Sequence, residues 1–155
     1  MGNFDFLRGK KEYEVFAPAA IEAERVYATS PAMCAIGCRK ALELAVKWVY
    51  SADNTMQLPF KDNLQSLIHG PDFRYAMEYD TWKKLPLIAK MGNLAVHTAR
   101  NITPTDAVVS LRGLFEFIEW IDYCYGRDYK EHFFKESLIP QSRVSLDEKR
   151  IKQQA

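Results

Sequence analysis

Two short motifs constrain this chain more than any other feature. Ser30-Pro31 and Thr103-Pro104 each set an N-capping hydroxyl before a proline at the first helical position. Each then opens a long run in which apolar residues recur at helical spacing. From Pro31 to about Tyr50 the stripe is Cys34, Cys38, Ala41, Ala45, Trp48 and Val49, with Arg39, Lys40, Glu43 and Lys47 on the polar edge. From Pro104 to about Tyr125 it is Leu111, Leu114, Phe115, Ile118, Ile121 and Tyr125, with Phe117, Trp120 and Cys124 as a second stripe. A helix this apolar lies at the centre of a bundle or also forms a subunit contact. No stretch alternates as a strand does. The fold class that follows is all-α.

Shorter signals fill in the rest. Phe16-Ala17-Pro18 opens an earlier, alanine-rich helix that Thr29 and Ser30 end. Ahead of it, Phe4, Phe6 and Leu7 are spaced to pack as a short amphipathic turn. Asp62 or Asn63 can cap a short helix through Ile68, stopped by Gly70-Pro71. Residues 80–86 lead into a helix that runs through His97 to around Asn101. Its apolar positions form two stripes, Leu87, Met91, Leu94 and Thr98 on one and Ile88, Ala95 and Ala99 on the other, so burial is expected on more than one side. Gly126 is a natural stop for the last long helix. Residues 1–130 therefore read as one domain. Residues 131–155 read as a polar extension or linker to a following domain, with Tyr129, Phe133 and Phe134 docking a final turn.

Composition narrows the function classes. A chain of 155 residues, 48% hydrophobic and 26% charged, can build one self-sufficient core. A net charge of +1 gives no global attraction to nucleic acid. The basic clusters are local: Arg8, Lys10 and Lys11 near the start, and Lys149, Arg150 and Lys152 near the end. Acidic residues stand beside both, and both read as solvated. Cys34, Cys38 and Cys124 are an odd number in a chain that needs no staples. Cys34 and Cys38 share a helix face but lack the two further ligands of a metal site. All three read as buried free thiols in a reducing, cytoplasmic setting. There is no signal-peptide pattern and no uninterrupted apolar run of roughly eighteen residues. The chain reads as soluble, with no membrane partner and no cofactor.

One stretch, Lys90-Met91-Gly92-Asn93-Leu94-Ala95-Val96-His97, places polar groups at helical spacing inside an otherwise apolar helix. Asn93 and His97 are one turn apart, and Lys90 shares their edge. An imidazole that titrates near neutrality, an amide to orient it and a cation to stabilise phosphate are the parts of a metal-independent ribonuclease. The same residues serve equally as a structural cluster tying this helix to Arg39 or Glu43, or as a contact for a ligand or nucleic acid. Gly92 carries a helix cost of about 1 kcal/mol relative to alanine, which a close helix crossing would justify. There is no glycine-rich phosphate loop, no helix with two metal-spaced histidines and no Gly-x-Ser-x-Gly.

Four segments in order carry a resemblance: residues 38–48 from Cys38-Arg39-Lys40 to Trp48, Leu58-Pro59-Phe60-Lys61-Asp62-Asn63-Leu64, Gly92-Asn93-Leu94-Ala95-Val96-His97, and Leu114-Phe115-Glu116-Phe117-Ile118-Glu119-Trp120. Over roughly residues 4–130 the chain resembles the helical domain that precedes the nuclease and helicase regions in restriction subunits of type I restriction-modification systems. That domain is similar to the HEPN superfamily of helical nucleotide-binding and ribonuclease domains. The resemblance implies a HEPN-like helical bundle with long antiparallel helices. It also implies that Arg39 and Glu43 face the helix of Asn93 and His97.

In active HEPN ribonucleases an arginine precedes the histidine by four to six residues. Here His97 matches the histidine, Gly92 stands at the usual arginine position, and Lys90 lies one residue beyond the usual spacing. Lysine lacks the planar fork that clamps phosphate. The expectation is therefore a non-catalytic module acting in subunit assembly or nucleic-acid contact, with Arg39, Glu43, Asn93 and His97 as its polar cluster. Its partners would be other restriction-system subunits or DNA, reached through the parent protein. Two alternatives stay open. One is a ribonuclease using His97 with Lys90 or Arg100. The other is a structural dimerisation domain working through a Phe117–Trp120 face.

Overall fold

The structure is a computed structural model that describes residues 2–98 and 101–141. It is mostly helical, with no strand among the described residues. The elements in order are α1 (Ala17–Arg25), α2 (Pro31–Ala52), α3 (Leu64–His69), α4 (Pro71–Arg74), α5 (Tyr79–Trp82), α6 (Lys84–His97) and α7 (Pro104–Tyr125). Single 3-10 turns at Asn3–Leu7, Lys11–Tyr13, Val26–Ala28 and Glu136–Leu138 complete it.

The two capping motifs act as their chemistry requires. Ser30 Oγ accepts from Met33 N–H at 3.2 Å. Thr103 Oγ1 accepts from Asp106 N–H while the Asp106 carboxylate accepts from Thr103 N–H, both at 3.1 Å. Of the two candidates at the start of α3, Asn63 is the cap, accepting from Ser66 N–H at 2.9 Å. The helix α7 does end at Tyr125, but Gly126 has an extended backbone rather than a left-handed one. Its missing side chain matters for space: a Cβ there would come within 2.9 Å of the Tyr13 hydroxyl.

Helix α2 is the central element and packs against α1, α6 and α7. Its small residues Cys34, Cys38, Ala41 and Ala45 are fully buried, which lets neighbouring helices approach closely. Ala32 and Ala35 cluster with Ala95, while Arg39 meets Gly92, so α2 and α6 run antiparallel. Lys84 pairs with Glu116, and Met91 shares a small surface groove with Asp106, so α6 and α7 are antiparallel too. The core between α2 and α7 is aromatic at one end, where Trp48 meets Tyr125 and Phe73 meets Phe117, both edge-on.

Three expectations are corrected by this packing. Helix α6 buries one face only, formed by Leu85, Ile88, Ala89, Gly92 and Ala95. Leu87 is 49% exposed and Leu94 is also open, because α2 and α7 both lie to the other side. Cys34 and Cys38 are buried, but Cys124 is exposed near the end of α7, where the bundle runs out of neighbours. Phe117, offered as a dimer surface, is fully buried in the chain's own core and stacks on Trp120 at 5.8 Å.

The ends of the chain are fastened together. Phe4, Leu7, Tyr13 and Phe16 are buried. Past residue 130, where composition turns polar, the packing continues. Phe134 lies on Phe115, Ile139 is buried, and the Asn3 side chain both donates to Lys135 C=O (2.9 Å) and accepts from Lys135 N–H (2.8 Å). The segment to Ile139 belongs to the bundle because the N-terminal turn and α7 leave it an apolar seat. Residues 142–155, read as a linker, lie outside the described residues, as does Arg100.

Candidate functional site

The α2–α6 crossing brings the candidate residues to one edge of the bundle. A Cβ on Gly92 would stand 3.0 Å from Arg39 Cγ, 2.8 Å from Cδ and closer still to Cβ. The glycine is therefore a seat for the aliphatic stem of Arg39. This is the position where the resemblance puts an arginine, and here a side chain from α2 fills the space instead.

Arg39 Nη1 lies 3.6 Å from Glu43 Oε2, and Glu43 Oε1 lies 3.1 Å from Lys47 Nζ. The Arg39 and Glu43 side chains are each one-third exposed. Arg39 Nε is buried without a hydrogen-bond partner. Surface pairs of this kind contribute little stability, in the range of about 0.2–1 kcal/mol.

Lys90, Asn93 and His97 are all exposed. They are therefore not drawn into a structural cluster that ties α6 to Arg39 or Glu43, one of the roles left open by the sequence. Asn93 sits one residue past Gly92, about 100° round the helix, which turns it out of the buried face. Among the described residues no hydrogen bond or ion pair joins Lys90, Asn93 or His97 to Arg39 or Glu43. The edge is a row of accessible polar groups, with one guanidinium held beside it by packing.

The buried polar groups lie elsewhere, and sequence reasoning passed over them. Asp122 in α7 accepts from the Tyr13 hydroxyl at 2.7 Å and pairs with Lys10 at 3.3 Å. Burial, with the Asp122 carboxylate beside it, pushes the Tyr13 hydroxyl well above the usual range. Glu24 in α1 accepts from Asn3 Nδ2 at 2.7 Å, with Phe4 N–H at 3.4 Å. Among the described residues no ion pair reaches it, and burial raises its carboxyl above the ordinary value. Both acids sit at core spacing in their helices, Asp122 in the row Ile118–Tyr125 and Glu24 one turn from Ala20. An acid at a stripe position is the signal that marks such a group. These two contacts fasten the N-terminal segment to the bundle.

Among the described residues no three histidine, cysteine or carboxylate side chains lie close enough together to hold a metal ion. No described helix is long and apolar enough to cross a membrane. Comparison with protein-family models, with curated proteins and with solved structures finds no match.

Proposed function

We propose that this chain is a non-catalytic, HEPN-like helical module of a type I restriction subunit, acting in subunit assembly or nucleic-acid contact through its α2–α6 edge. The parent protein would be an ATP-dependent DNA translocase and endonuclease whose chemistry resides in other domains. One observation carries this reading. Lys90, Asn93 and His97 stand exposed on α6, beside an Arg39 whose stem occupies the space over Gly92. Accessible donors and cations on a rigid helix pair suit recognition of phosphate or of a partner's polar surface.

The ribonuclease reading draws on the same exposure, since His97 and Lys90 are both open to a substrate. Against it, position 92 has no room for a side chain, and Arg39 is tied by packing and by Glu43. A guanidinium so held is less free to follow a transition state.

The test has two arms. Fluorescence anisotropy with labelled duplex DNA, at rising salt, compares the parent with a Lys90→Glu, His97→Ala variant. Affinity capture compares the same pair for binding to the methyltransferase–specificity core of a restriction system. Salt-dependent DNA binding or specific capture, lost in the variant, supports the proposal. Failure in both arms removes it.

A further inference from the structure

On the far side of α7 from the N-terminal turns, an open groove of about 770 Å³ runs between the α4–α5 connection and the C-terminal half of α7. Its walls are aromatic. Tyr75 is 79% exposed and Tyr123 70% exposed, and Trp120 and Tyr129 also line the groove. Its charge is of one sign: Glu78, Glu116 and Glu119 line it, and none of its lining residues is lysine, arginine or histidine. Glu116 is paired from outside by Lys84, and Glu119 accepts from the Tyr129 hydroxyl at 2.6 Å and from His132 N–H at 3.3 Å, with the His132 ring 3.9 Å from its other oxygen. Glu78 is exposed with no ion pair among the described residues. The volume lies within the range of sites that bind small ligands or side chains.

We infer that this groove is a docking site for a partner protein, taking an arginine side chain presented on an extended peptide segment. Charge complementarity decides the occupant. The unpaired carboxylate of Glu78, with Glu119 also in the lining and no cation there to offset them, disfavours a phosphate backbone here however many rings it could stack on. A guanidinium satisfies both features at once: its planar face stacks on tyrosine and tryptophan, and its fork donates to carboxylates. The molecule shows this chemistry next door, where the Arg74 guanidinium lies 4.2 Å from the centre of the Trp82 ring and 5.1 Å from those of Tyr75 and Tyr79. Arginine is also among the residues that dominate protein interfaces when seated in an aromatic pocket. The site is separate from the α2–α6 edge and does not depend on that edge's role.

Trp120 supplies the readout. The full chain is titrated at low ionic strength with acetyl-Gly-Arg-Gly-Arg-Gly-amide, and tryptophan fluorescence is followed. The same peptide with citrulline in place of arginine keeps the shape but loses the charge, and a carbonyl acceptor replaces one of the donors. Saturable binding is expected for the arginine peptide, weakening as salt rises. The citrulline peptide, Tyr123→Ala and Glu78→Gln should each weaken it by about three- to fivefold. Both substitutions are at exposed positions, and far-UV circular dichroism verifies that the variants stay folded. Equal binding of the citrulline peptide, an unchanged response in both variants, or no saturable response overturns the inference. Displacement of the peptide by a single-stranded oligonucleotide also overturns it, and would reassign the groove to nucleic acid.

Discussion

Replacing Gly92 with alanine tests the packing on which the α2–α6 edge depends. In an unpacked helix this change stabilises by about 1 kcal/mol, since glycine is the poorer helix former. Here the new methyl would meet the Arg39 side chain at its base, at Cβ, Cγ (3.0 Å) and Cδ (2.8 Å). The base of a side chain cannot swing aside as its tip can, so α2 and α6 must move apart. Overpacking of this sort costs about 1–3 kcal/mol. The net expectation is a loss of about 1 kcal/mol, or roughly 2–4 °C in Tm for a chain this size. Urea denaturation followed by circular dichroism measures it. The decisive control is the same substitution in an Arg39→Gly background. With the stem gone, Gly92→Ala should regain its ordinary benefit and stabilise by about 1 kcal/mol. The sign should therefore reverse between backgrounds, a coupling of about 2 kcal/mol. A stabilising Gly92→Ala in the parent, or the same effect in both backgrounds, would refute the close crossing.

Three further outcomes are expected. Glu24 has its folded value raised by burial, so it favours the folded state most at acid pH, and that contribution is lost as pH rises through the raised value. The stability of the parent relative to Glu24→Gln should accordingly fall as pH rises above the ordinary glutamate range; a rise would contradict the assignment. Tyr13→Phe removes the donor to buried Asp122 and should cost about 1–3 kcal/mol in urea unfolding, whereas a neutral result would mean that water or Lys10 serves Asp122 as well. Of the three thiols, only the exposed Cys124 should react with a water-soluble disulfide reagent in the native protein, slowly because partial desolvation and the nearby Asp53 carboxylate raise its thiol, while Cys34 and Cys38 should need denaturant.

The fold was legible wherever capping chemistry and apolar period agreed. Ser30, Thr103 and the prolines after them fixed where α2 and α7 begin, and the stripes Cys38–Ala41–Ala45 and Leu111–Leu114–Ile118 are the core faces in fact. The errors share a cause. Periodicity says which residues could face a neighbour, but not how many neighbours a helix has. Leu87, Leu94 and Cys124 obey the pattern and still lie open, because the neighbours of α6 all pack on its other face and nothing covers the outer side of the end of α7. The buried acids were hidden for the opposite reason: the partners of Asp122 and Glu24 lie more than a hundred and about twenty residues away in the chain. At the candidate site, Gly92 correctly signalled a close crossing. That the crossing is filled by Arg39, and that Asn93 and His97 turn outward, depends on helix rotation that no local pattern encodes.

The role proposed for the Lys90–His97 edge is binding without cutting. Single-stranded RNA of mixed sequence, incubated with the purified chain in the presence of a metal chelator and resolved on a denaturing gel, tests it most directly. Intact RNA is expected at every protein-to-RNA ratio, with the parent and His97→Ala indistinguishable. Cleavage by the parent that His97→Ala abolishes would contradict it and make this edge an active site.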